Sequence, residues 1–205
     1  MTGLWVTFEG VDGSGKSTQA GALAQWVAER GRVVTRTREP GGTEVGALIR
    51  GIVLHHRGDV VPRAEALLYA ADRAQHVATV VRPALDRGEV VVQDRYLDSS
   101  VAYQGAGRVL DPDQVRSLSL WAADGALPDL TVLLDLDPDA ARTRLDADDK
   151  PYDRLEAQAP DFHGRVRESY RALARAEPGR FLVVDAAAPV ERIATAVRER
   201  ILPLL

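Results

Sequence analysis

The segment Phe8-Glu9-Gly10-Val11-Asp12-Gly13-Ser14-Gly15-Lys16-Ser17-Thr18 constrains the fold of this chain more than any other. Gly10 through Ser17 fits the phosphate-loop spacing G-x-x-x-x-G-K-S/T at every fixed position. The flanks agree with it. Leu4-Trp5-Val6-Thr7-Phe8 is a short apolar run suited to a strand, and from Ser17 to Arg30 the residues Ala20, Leu23, Ala24 and Val27 fall on one helical face. In a strand–turn–helix unit of this kind, glycines let backbone N–H groups converge on an anion, and the helix N-terminus adds partial positive charge. The spacing therefore predicts nucleoside triphosphate binding by Gly10, Val11, Asp12, Gly13, Ser14, Gly15, Lys16 and Ser17. Lys16 would reach the β- and γ-phosphates, and the Ser17 hydroxyl would help to hold Mg²⁺.

Composition sharpens the reading of that lysine. Lys16 and Lys150 are the only lysines among 26 basic residues, and asparagine is absent. Arginine is the default cation here, so a lone arginine says little, whereas a lysine retained in the loop says more. The 205 residues suit one α/β domain, residues 1–205. A net charge of −4 offers no broad basic field for a nucleic-acid polymer. The lack of cysteine excludes disulfides and thiolate chemistry. With no apolar run of membrane-spanning length and no leader-like start, a cytoplasmic protein without membrane contact is expected.

Strand-like and helix-like runs alternate along the chain, the pattern of a parallel sheet covered by helices on both faces. Strands are expected at 4–8, 32–37, 90–93, 130–134 and 181–184, the last four buried on both faces. Helices are expected at 43–54, 63–85, 113–124, 137–145, 160–176 and 189–202, besides the one after the loop. Asp111-Pro112-Asp113-Gln114 is a helix start with Asp111 as N-cap. Trp26 and Trp121 are expected to pack, and the histidines to be exposed or internally satisfied. A polar stretch at 146–153 marks a short lid, about 142–156.

A second acid is needed beside the loop. Asp94 ends the third apolar run, where doubly wound sheets place their ligands, and it is expected to act towards Mg²⁺ together with Ser17. Arg95 follows it, directed at the transferring phosphate. The phosphate loop, Arg38-Glu39-Pro40-Gly41-Gly42, the run from Asp94 to Gly105, Asp153-Arg154-Leu155-Glu156 and Val184-Asp185-Ala186 together resemble the bacterial thymidylate kinase family. The resemblance spans most of the chain.

That resemblance implies a three-layer nucleoside-monophosphate kinase fold with a five-stranded parallel sheet, a homodimer, Mg²⁺ as cofactor, and transfer of a phosphoryl group from ATP to dTMP. Carried over by position, it places Glu39, Arg50, Tyr69, Arg73, Arg95, Ser100, Tyr103 and Gln104 around dTMP. Tyr69 stands where the family usually has Phe. Asp12 would orient a phosphate-binding arginine. Among the lid-flanking arginines Arg142, Arg144 and Arg154, Arg154 is expected to act in catalysis, with Arg142 as the runner-up or else near the adenine. A kinase of the same fold with another acceptor is the nearest alternative. A GTP-dependent switch is disfavoured, since its guanine reader needs an asparagine.

Overall fold

A computed structural model describes residues 3–147 and 151–205. Five strands, β1 (Leu4–Glu9), β2 (Val34–Arg38), β3 (Val90–Asp94), β4 (Leu130–Asp135) and β5 (Phe181–Asp185), form one parallel sheet in the order β2-β3-β1-β4-β5. Pleating divides the side chains of β1 between two apolar layers. Leu4, Val6 and Phe8 join Ala20, Leu23 and Val27 on one face, and Trp5 joins Val77, Val81 and Val91 on the other. Among the central strands, β3 and β4 are buried on both faces as expected, and β1 is too. The edge strands β2 and β5 are not, because each lacks a neighbour on one side and exposes alternate residues.

The chain leaves β1 towards β2 and leaves β3 in the opposite sense, towards β4. The adjacent carboxyl ends of β1 and β3 thus form a topological switch point, where open α/β sheets bind ligands. Their register sets Phe8 opposite Asp94. After β1 the loop turns through Gly10, Gly13 and Gly15, all at positive φ, into α1 (Lys16–Ala28).

Helix α2 (Glu44–His55) begins at an N-cap Thr43 whose hydroxyl accepts from the Gly46 amide at 2.9 Å. The helix expected over 63–85 is instead α3 (Pro62–His76), a widened π-helical turn over Val77–Val81, and α4 (Arg82–Asp86). Pro83 carries no N–H for the carbonyl one turn back, and the helical ladder changes register just before it. After β3 no helical signal is legible in the sequence, yet Leu97–Ser100 (α5) and a π-helical turn over Val101–Gly107 are helical. This segment is buried almost all round, so it lacks the one-sided periodicity that marks a surface helix.

Helix α6 (Pro112–Ala122) starts at Asp111 as expected, with its carboxylate accepting from the Asp113 and Gln114 amides. The helices α7 (Pro138–Ala147), α8 (Pro160–Ala176) and α9 (Val190–Ile201) complete the layers. Trp26 packs partly against the core under the Arg30 guanidinium, but Trp121 is 82% exposed, against expectation. Asp148, Asp149 and Lys150 of the expected lid lie outside the described residues.

Gly10 is the tightest point of the loop. A Cβ there would sit 2.5 Å from the Leu134 carbonyl oxygen, at a φ of 138° that other residues avoid. Gly10→Ala is expected to lower stability by about 2–4 kcal/mol in urea denaturation, combining strain and overpacking. A loss below about 0.5 kcal/mol would mean that the loop and β4 can separate freely there.

Candidate functional site

Two connected pockets open at the switch point. The first lies between α3, the Tyr96–Gln104 segment and the Asp153–Leu155 turn. The second runs over the glycine-rich loop between the ends of β2, β3 and α7. Asp12, Glu39, Arg50 and Arg95 line both, so the pockets meet at a charged neck.

In the loop pocket, Lys16 folds back over the turn and donates to the Val11 carbonyl at 2.8 Å. Burial, then the neighbouring Arg95, bring its ammonium down to about 8, with Asp12 and Asp94 opposing. Ser17 Oγ donates to Asp94 Oδ2 at 2.5 Å, across the β1–β3 switch point. Two oxygen donors facing a phosphate pocket suit a small hard cation whose other ligands are water and phosphate oxygens. Among the described residues no cluster of three or more acidic, histidine or cysteine side chains could hold a metal alone. A hydroxyl and one carboxylate would therefore hold Mg²⁺ only with the nucleotide.

Arg95 occupies the neck. Its backbone is left-handed, with φ 66°, unusual for a residue other than glycine. Tertiary bonds hold it so: its amide donates to the Phe8 carbonyl at 2.9 Å, and its carbonyl accepts from Gln93 Nε2 at 2.9 Å. The guanidinium pairs with Asp12 at 2.5 Å and donates to the Gly10 carbonyl at 3.0 Å. Tyr103 donates to the other Asp12 oxygen at 2.9 Å. Burial would raise the Asp12 carboxyl, but Arg95 and Lys16 outweigh it and hold it well below the usual carboxylate range.

Glu9, which sequence reading passed over, is fully buried beneath Arg95. It accepts from the Tyr96 amide at 2.7 Å, Ser99 Oγ at 2.6 Å and the Tyr170 hydroxyl at 2.9 Å. Burial, then Asp98, push its carboxyl up to about 7, against Ser99, Arg95 and the Tyr96 amide.

In the first pocket, Arg73 is buried and donates to Ser119 and Ser100 at 3.0 and 3.1 Å. It also lies 3.0 Å from Glu39 Oε2 as an ion pair outside hydrogen-bonding geometry. His76, internally satisfied as expected, bridges Glu39 at 2.8 Å and Thr37 at 2.6 Å. Tyr69 presents its ring one turn before Arg73, and Gln104 lies opposite. Arg50 donates to the Pro40 carbonyl at 3.0 Å.

The lid arginines separate. Arg154 does not line the phosphate pocket: its guanidinium pairs with buried Glu65 and donates to the Val53 carbonyl at 2.9 Å. A fully buried carboxylate demands a counter-charge, and Arg154 together with Arg108 supplies it. Arg142 stacks over the Tyr152 ring at 3.9 Å, beside Val11 and His163. Arg144 stands at the loop instead, 3.4 Å from the Gly13 carbonyl and 2.9 Å from that of Ala186. Arg38 and Glu156 line the same pocket; the sequence places both in the family-like motifs without giving either a role. Arg144 and Ala141 share the α7 face that meets the loop, a spacing visible in sequence only once the partner is known.

A family model described as thymidylate kinase matches residues 8–197. The chain belongs to the thymidylate kinase family. It is 70% identical to a thymidylate kinase of Leifsonia xyli over 97% of this chain and 94% of that one. Identity to a thymidylate kinase of Bifidobacterium longum is 52%, over 98% of both chains. The crystal structure of thymidylate kinase from Ehrlichia chaffeensis superposes with a TM-score of 0.79 at 29% identity, covering 98% of this chain and 99% of the other. The fold is the three-layer α/β arrangement of that kinase family. Among the described residues no helix is long and apolar enough to cross a membrane.

Asp72 braces the thymidylate kinase pocket from behind. It is fully buried, accepts from the Gly41 amide at 3.1 Å through Oδ1, and leaves Oδ2 without a partner. Burial, then Glu39, push its carboxyl up to about 6. A raised acid favours the folded state below its unfolded value near 4, and that contribution is lost as pH rises through about 6. Asp72→Asn keeps an acceptor for Gly41 and does not ionise. Its stability relative to wild type should therefore rise between pH 5 and 8, by on the order of 1–3 kcal/mol in chemical denaturation. A difference that does not change over this range would exclude Asp72 as the titrating group.

Proposed function

We propose that the loop pocket holds ATP, the neighbouring pocket holds dTMP, and the two phosphate chains meet at the neck beside Arg95. The reaction, ATP and dTMP giving ADP and dTDP, is that of the thymidylate kinase family. The observation that carries the assignment is the shared lining: Asp12, Glu39, Arg50 and Arg95 face both pockets, as an in-line transfer between two anions requires. Loop amides and Lys16 take the triphosphate, and Lys16 exchanges the Val11 carbonyl for phosphate oxygens. Ser17 and Asp94 would hold Mg²⁺, which would supply charge neutralisation at the phosphates. Arg95, fixed by Asp12, and Arg50 orient the acceptor phosphate, with Glu39 at its flank.

Tyr69 stacks on the base, and Arg73, Ser100, Tyr103 and Gln104 line the base and sugar. Arg144 already stands at the loop and is the first lid arginine to meet the transferring phosphate. Arg154 has to leave Glu65 to join it in catalysis. Arg142 and the Tyr152 ring flank the adenine. A coupled assay with ATP and dTMP tests the whole reading. Lys16→Ala should lower kcat by about 10²–10³, the usual loss for a donor that strengthens in the transition state. Retention of more than about half of the wild-type turnover would remove Lys16 from the mechanism.

The same reading makes the enzyme a homodimer. It is supported by Val45, Leu48 and Ile52, an exposed apolar stripe along α2, with exposed Leu67 on neighbouring α3. Leu48→Glu is expected to shift the sedimenting species from dimer to monomer. A dimer that survives this charge would locate the interface on another face.

A further inference from the structure

We propose that Glu65 sets the base specificity of the pocket by locking the amide of Gln104 in one orientation, so that the site accepts a pyrimidine bearing N3–H and rejects cytosine. The proposal rests on the reading of this pocket as the dTMP site. Glu65, Tyr69 and Arg73 recur every four residues along α3 and share its pocket side, yet Glu65 does not line the pocket itself. It is a positioning residue, fully buried behind the wall.

Gln104 Nε2 donates to Glu65 Oε1 at 2.9 Å. Arg108 donates to both carboxylate oxygens, at 3.3 and 3.2 Å, and Arg154 pairs with Oε2. A carboxylate neutralised by two guanidinium groups only accepts, so only the NH₂ end of Gln104 can face it. Chemistry therefore fixes which end of the amide faces Glu65. The carbonyl end turns away from Glu65, and among the described residues no donor reaches it, while Gln104 lines the pocket.

Arg73, on the same lining, has only donors. Its Nη atoms are held by Ser119, Ser100 and Glu39, and its buried Nε has no partner. One acceptor and one donor are thus preset. A uracil-type edge matches them with N3–H and a carbonyl. Cytosine sets a lone pair at N3 against the Gln104 carbonyl and an amine against Arg73, so both contacts fail. Sites built on such bonds discriminate by up to about 10⁴–10⁵.

The test is kcat/KM for dTMP and for dCMP, with ATP, in the full-length wild type, Glu65→Gln, Gln104→Leu and the double variant. An amide at position 65 can offer either a donor or an acceptor, so Gln104 is free to flip. The dTMP:dCMP ratio should fall at least about tenfold in Glu65→Gln. Any loss from releasing Arg154 acts on both substrates and cancels in the ratio. The double variant should discriminate no worse than Gln104→Leu, since Glu65 acts through Gln104. A Glu65→Gln ratio within about twofold of wild type, with dTMP turnover reduced, would overturn the proposal and leave Glu65 an anchor for the two arginines. If thermal denaturation shows Glu65→Gln unfolded, Gln104→Leu decides alone, and undiminished discrimination there overturns the proposal. Failure of the underlying reading looks different: the wild type itself would not phosphorylate dTMP.

Discussion

The pairing of β1 with β3 is the contact on which the site depends. With Phe8 opposite Asp94, the loop that follows one strand lies against the Asp94-Arg95 step that follows the other. Because the chain leaves these strands in opposite directions, a crevice opens above them, the place where open α/β sheets bind ligands. The left-handed backbone of Arg95 costs about 1–3 kcal/mol. The Phe8 carbonyl and the Gln93 amide hold it in place, and both belong to the paired strands. Sheet register and phosphate chemistry are in this sense one constraint.

Around that neck, four buried or half-buried arginines are already matched by carboxylates. Arg95 has Asp12, Arg73 has Glu39, and Arg154 and Arg108 have Glu65. Buried pairs of this kind add little net stability, because desolvation offsets the attraction. What they supply is position. Guanidinium groups held in fixed directions do not have to reorganise when phosphate charge arrives, which is the main source of electrostatic catalysis. The expected acidity pattern follows from the same crowding: Asp12, beside two cations, stays ionised, while Glu9 and Asp72, deeper and facing other carboxylates, are pushed towards the neutral form.

Arg144 and Arg154, on either side of the polar stretch, are held in different ways. Arg144 extends from a regular helix that packs on the loop through Ala141, so its place is set before any ligand binds. Arg154 follows the polar stretch and is tied to Glu65 on the base-pocket side. Any movement that brings Arg154 to the phosphates must break that pair, which ties Arg154 to the residue that also holds Gln104.

Much of this was legible along the chain. The loop from Gly10 to Ser17, the strand–helix alternation and the cap at Asp111 depend on residues within a few positions of one another, so spacing and backbone sterics suffice to reveal them. Asp94 at a strand end and Tyr69 one turn before Arg73 belong to the same class. The helical course of Val101–Gly107, the exposure of Trp121, the burial of Glu9 and Glu65, and the choice of Arg144 over Arg154 at the loop are of another kind. Each is fixed by a partner far away in the chain, such as Tyr170 for Glu9 or Gly13 for Arg144. Whether a charged side chain is solvated or buried turns on the desolvation it suffers and the counter-charge that folding brings to it, and neither is written in its neighbours.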